Sequence, residues 1–126
     1  MACILILDDI RGVRRSIAGI LTRAGHQPEE AATATEAFDR LDRGGIDLLI
    51  TDILMPDTDG IEVIDAVRKR HKSVPILAVS GGGSLVASDQ ALTLAQSLAD
   101  DVLAKPFEGP ELIAKIDPLL AKGARA

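Results

Sequence analysis

The chain has 126 residues, 47% of them apolar, with a formal net charge of −5. That length suits one domain with a sizeable core and leaves no room for two, and the apolar share excludes a disordered chain. The acidic balance and the lack of an arginine–lysine stripe argue against a nucleic-acid surface, and no apolar run is long enough to span a bilayer.

Cys3 is the single cysteine, so an internal disulfide is impossible and a reducing compartment, the cytoplasm, is expected. Its apolar surroundings make it a small buried side chain rather than a reactive thiol. The start of the chain leads almost directly into a strand and reads without a signal peptide. One domain is expected over 1–126, with a tail frayed from about 121.

The first element is a strand over 2–7, closed by the acidic pair Asp8-Asp9. Over 11–24, Val13, Ile17, Ile20 and Leu21 recur at helical spacing with basic residues between them, and Gly25 stands where the helix should stop. A short strand is expected around 28–32. Thr33 or Thr35 can cap a helix reaching about Arg43, with Ala37, Phe38 and Leu41 inward and Gly44-Gly45 as its stop.

The run 46–51 predicts a buried strand, and 52–60 the loop leaving it. A helix follows over 61–70, with Ile61, Ile64 and Val67 on one face. The strand 75–79 ends at Ser80, and 84–99 predicts a long helix in which Asp89 is the only charge between Leu85 and Leu98. The strand 101–104 ends at Lys105, and a last helix begins near Pro110, with a kink or break expected near Asp117 because Pro118 follows. Five strands alternating with five helices imply a doubly wound parallel α/β sheet with helices on both faces.

In such a sheet the carboxyl ends of the strands form the ligand-binding edge. Asp8, Asp9, Asp52, Ser80 and Lys105 would meet there. Three crowded carboxylates repel one another unless a cation joins them, and an all-oxygen set suits Mg²⁺. Lys105 supplies fixed positive charge, Ser80 a hydroxyl donor, and an aspartate can act as nucleophile towards phosphorus. The constellation points to Mg²⁺-assisted phosphoryl transfer onto Asp52. Taken singly, each acid reads equally well as a cap or loop residue. Asp57 lies beyond the strand end and is rejected as the acceptor; His26 and His71 are expected to be exposed and without a role.

Together, Asp8-Asp9, Asp52 with Met55-Pro56 and Asp59-Gly60, Ser80 and Lys105-Pro106-Phe107 make the chain resemble a response-regulator receiver domain of two-component signalling, over almost its whole length. The resemblance implies a flavodoxin-like fold of strand order 2-1-3-4-5. It implies that Asp52 takes a phosphoryl group from a histidine kinase or a histidine phosphotransfer protein. By the same resemblance Asp9 and Asp52 bind Mg²⁺ directly, Asp8 through water, and the backbone carbonyl of Leu54 completes the protein ligands. Lys105 pairs with the phosphoryl oxygens, Ser80 swings towards them, and backbone amides near Ile53 and Gly81 help hold the charge. The Lys105-Pro106 bond is expected to be cis.

The chain also departs from the family pattern. Val102 stands where many receivers carry the aromatic ring of the switch, and there is no tyrosine in the chain. Gly81-Gly82-Gly83 makes a permissive loop after Ser80, and neither Leu54 nor Gly82 can orient a hydrolytic water. The expected protein is a stand-alone receiver, a monomer or weak dimer, without membrane insertion or nucleic-acid binding. Its target contacts the face of helix 84–99, strand 101–104 and the last helix. Rival readings are a phosphorylation-independent interaction module and an aspartyl-phosphate hydrolase; the latter needs a cap domain for which there is no room.

Overall fold

The structure is a computed structural model and describes residues 2–55, 58–80 and 98–124. Five parallel strands, β1 (Cys3–Leu7), β2 (Gln27–Ala31), β3 (Leu48–Asp52), β6 (Ile76–Ser80) and β7 (Asp101–Ala104), form one sheet in the order β2-β1-β3-β6-β7. This is the 2-1-3-4-5 order of the flavodoxin-like fold. A two-stranded antiparallel ribbon, β4 (Leu54–Met55) and β5 (Thr58–Asp59), follows β3 where only a loop is expected. The helices are α1 (Arg11–Arg23), α2 (Ala34–Asp42), α3 (Gly60–Arg70) and α4 (Gly109–Ala124). The helix expected over 84–99 lies, but for its last two residues, outside the described residues, as do Gly81-Gly82-Gly83 and Asp57.

The sheet is buried on both faces, which is why its central strands read as continuous apolar runs. Alternation along each strand sorts the side chains into two cores. Leu5, Leu7, Leu49, Ile76 and Ala78 pack with α2 and α3 against Ala37, Leu41, Val63, Ile64 and Val67. Ile4, Ile6, Leu48, Ile50, Leu77 and Val79 pack with α1 and α4 against Ile17, Leu21, Leu112 and Ile116. Each fully buried Leu or Ile contributes roughly 1.5–3 kcal/mol. The central strands are therefore a rigid base for the residues at their ends.

The helix ends follow local chemistry. Thr33 accepts from the amide of Glu36 and caps α2. α1 closes in a Schellman arrangement: the amide of Gly25 donates to Thr22 and that of His26 to Leu21, with Gly25 at φ 89°. β2 carries Pro28, tolerated because β2 is an edge strand and the Gln27 amide already donates to Ala2 on the β1 side.

Pro118 neither breaks nor ends α4, which runs on to Ala124. Pro118 and Ala114, whose carbonyl loses its helical donor, are both exposed, so water can take the donor's place. Among the described residues no helix is long and apolar enough to cross a membrane.

Candidate functional site

β1 and β3 lie side by side in register, Leu7 opposite Thr51, and β3 pairs with β6 so that Asp52 faces Val79. The residues following these pairs therefore emerge at one edge. Asp8 leaves β1 with 2% of its surface exposed, Asp52 is the last residue of β3 with 4% exposed, and Asp9 is open to solvent. One carboxylate oxygen from each of the three lies within 4.8 Å of the other two.

Lys105 closes the group from the end of β7. Its Nζ is 3.2 Å from Asp8 Oδ2 and 3.5 Å from Asp52 Oδ2. The Lys105 amide donates to the Ser80 carbonyl at 2.8 Å, extending the β6–β7 pairing by which Ser80 faces Ala104. The Lys105–Pro106 bond is cis. Ser80 is half-buried at the end of β6. Val102 is half-buried, opposite Ala78, and packs on the core beneath α2 and α3.

Three carboxylates against one ammonium leave a negative excess in a largely buried cleft, which favours a divalent cation. Ligand oxygens on opposite sides of Mg²⁺ stand about 4.2 Å apart, so a spread of 4.8 Å is within small side-chain rotations of a coordination shell. The donor set fits a hard cation. Asp8 Oδ1 is already engaged by the Ile10 amide at 2.9 Å and Oδ2 by Lys105, whereas Asp9 faces solvent.

Some expectations change. The Ile53 amide donates to the Val79 carbonyl at 3.0 Å and is thus taken by the sheet rather than aimed into the pocket. Neither histidine is exposed and idle. His71 Nε2 lies 2.9 Å from Asp42 Oδ1 with 19% of its side chain exposed, and His26 Nδ1 accepts from the Ala2 amide at 3.3 Å. His71 thus ties the end of α3 to the end of α2, and His26 ties the turn after α1 to the residue before β1. Cys3 is half-buried and its thiol donates to Glu29 Oε2 at 2.9 Å; burial, then this carboxylate, push its pKa up to about 11.

Two contributors escaped the sequence reading. Arg14 Nη1 donates to the Asp8 carbonyl at 2.7 Å, although Arg14 reads as one more basic residue of α1. Its signal was its place: a cation in the first turn of a helix opposes the helix dipole and so needs another reason to be there. Gly60, read only as part of the family motif, packs against the main chain of Asp52 and Ile53.

The family model for the response regulator receiver domain matches residues 4–117. The transcriptional regulatory protein CusR of Escherichia coli (strain K12) is 32% identical over 121 residues, which is 96% of this chain and 52% of that protein. The response regulator MprA of Mycobacterium leprae is 37% identical over 119 residues, 94% of this chain and 51% of that protein. The chain thus spans about half the length of these curated relatives. A CheY-like receiver domain protein from Methanospirillum hungatei superposes with a TM-score of 0.88 at 28% identity, covering 99% of this chain and 98% of that one. Vibrio cholerae chemotaxis protein CheY4 gives 0.81 at 29%, covering 94% and 98%. With its sheet order, its acidic pocket and this match along nearly its whole length, the chain belongs to the response regulator receiver domain family.

Proposed function

We propose that the chain is a phosphorylation switch in which Asp52 accepts a phosphoryl group from a histidine kinase or a histidine phosphotransfer protein, with Mg²⁺ as cofactor. One observation carries this reading: Lys105 Nζ stands 3.2 Å from Asp8 Oδ2 and 3.5 Å from Asp52 Oδ2, an ammonium beside two buried carboxylates. A lysine held there counters charge in the resting pocket and is in reach of phosphoryl oxygens once Asp52 is modified.

In the transfer, an Asp52 oxygen attacks phosphorus in line with the P–N bond of a phosphohistidine. That bond breaks, its electron pair returns to the imidazole nitrogen, and a solvent proton completes the free histidine. Lys105 pairs with one phosphoryl oxygen of the acyl phosphate, and Ser80 offers its hydroxyl to another. Asp9, Asp52 and the main-chain carbonyl of Leu54 would hold the ion, with Asp8 acting through water. A bound Mg²⁺ neutralises charge between the carboxylate and the phosphoryl group.

A groove of about 330 Å³ beside Lys105, lined by Gly12, Val13, Ser16, Ile17 and Phe107, gives the donor an apolar approach. The signal leaves through the face of β7 and α4. Residues 1–126 act as one receiver unit in the cytoplasm, a monomer or weak dimer.

A phosphorylation-independent interaction module is favoured by one observation, the small Val102 at the position of the switch ring. Phosphoramidate, whose P–N bond mimics phosphohistidine, separates the readings. With Mg²⁺ the switch gives a hydroxylamine-labile acyl phosphate that Asp52→Asn does not form; no acyl phosphate in the folded wild type overturns the reading.

A further inference from the structure

We infer that Arg14 is a positioning residue for the acidic pocket, its guanidinium fixing the main chain that aims Asp8 and Asp9; this rests on the reading of those acids as the cation site. Arg14 sits in the first turn of α1, where its amide donates to the Ile10 carbonyl at 3.1 Å. From there the side chain reaches back over the β1–α1 turn. Nη1 donates to the Asp8 carbonyl at 2.7 Å, and Nε to Glu30 Oε1 on β2 at 3.3 Å. The side chain is 12% exposed, its guanidinium held between the Asp8 main chain and Glu30.

The contact matters because of what the Asp8 carbonyl controls. It belongs to the rigid peptide plane that carries the Asp9 amide. Register pairing of β1 with β3 ends at Leu7, so beyond it that sheet neighbour no longer orients the chain. The Asp8 amide still donates to Ala31 at 3.2 Å, and its carboxylate is held by Ile10 and Lys105. Arg14 holds the remaining polar group of Asp8. Asp9 is exposed and has no core packing to aim it, so the plane before it sets its direction. A charge-assisted bond is about twice as strong as a neutral one, and supports of this kind commonly change metal affinity about 10-fold or more.

Positioning and plain electrostatics predict opposite signs. As a bare positive charge near the acids, Arg14 would weaken cation binding, and its removal would tighten it. As a positioning residue, its removal loosens the site.

The test is a Mg²⁺ titration of the full chain followed by ¹H–¹⁵N NMR shifts, with melting curves alongside. Arg14→Met is expected to raise the Mg²⁺ Kd about 10-fold, and Arg14→Lys, which keeps one donor, to raise it less. In phosphorylation with phosphoramidate, half-saturating Mg²⁺ should shift while the plateau rate holds. An unchanged or lower Kd in folded Arg14→Met overturns the inference. Should Arg14→Met fail to fold, an unchanged Kd in Arg14→Lys overturns it instead. A wild type that binds no Mg²⁺ overturns the cation reading itself, whereas a binding wild type with an unaffected variant overturns the role of Arg14 alone.

Discussion

The amide of Gly60 donates to the carbonyl of Ile53 at 3.2 Å, and a Cβ on Gly60 would lie 2.7 Å from the carbonyl oxygen of Asp52 and nearer still to that of Ile53. Both obstacles are backbone, so neither can swing aside. Gly60→Ala must therefore push α3 away from the end of β3 or displace Asp52. The expected cost is about 1–3 kcal/mol of stability, read as a lower urea midpoint, with loss of phosphorylation at Asp52. A variant matching the wild type in both would contradict the close approach.

Lys105 separates cation binding from phosphoryl transfer. Lys105→Met removes the ammonium that stands 3.2 Å from Asp8 and 3.5 Å from Asp52. Mg²⁺ should bind at least as tightly as in the wild type, measured by NMR titration. Phosphorylation should slow about 100-fold or more, as when a charge-stabilising donor is lost from a reacting centre. Parallel loss of both would instead assign Lys105 to holding the pocket together.

Acid sensitivity should track the other end of the sheet. Arg40 binds Glu29 through Nε–Oε1 at 2.5 Å and Nη2–Oε2 at 2.7 Å. This bond, then that from Cys3, holds the Glu29 pKa at about 2 instead of its ordinary 4.5. A depressed carboxylate pKa stabilises the fold above the unfolded value and is lost as pH falls through the folded one. The wild-type melting temperature should therefore drop between about pH 4.5 and 2. Asp100 acts in the same sense: burial opposes its charge, but Lys122, Arg68 and the Ile76 amide overcome this and lower its pKa. Glu29→Gln should melt lower at pH 7 and show a flatter pH profile below 4.5.

Cys3 should be a poor nucleophile. With its pKa near 11 in place of 9.0, the thiolate at pH 8 is scarcer by about 100-fold, and reactivity follows the thiolate. Iodoacetamide should label Cys3 more slowly than a free thiol of ordinary pKa, the scarcer thiolate outweighing its greater intrinsic nucleophilicity. Glu29→Ala, which removes the carboxylate that raises the thiol pKa, should speed the labelling.

The strand ends were legible because each buried apolar run stops at a polar group, and a parallel sheet brings such ends to one edge. Asp8, Asp52, Ser80 and Lys105 all stand at such ends. Asp52 closes its strand rather than opening the loop, a one-residue shift that propensity does not resolve. The β4–β5 ribbon was illegible because two-residue strands carry no period. Arg14 was hidden because its partner is a carbonyl, and a carbonyl has no identity in sequence. His71 pairs with Asp42 across 29 positions, a contact that only the packing of α2 beside α3 creates.

The most direct measurement is the intact mass after incubation with acetyl phosphate, with and without Mg²⁺, for wild type and Asp52→Asn. A gain of about 80 Da, one phosphoryl group, is expected in the wild type with Mg²⁺ and in no other sample. A gain that persists in Asp52→Asn, or that ignores Mg²⁺, would contradict the assignment of Asp52 as a cation-assisted phosphoacceptor.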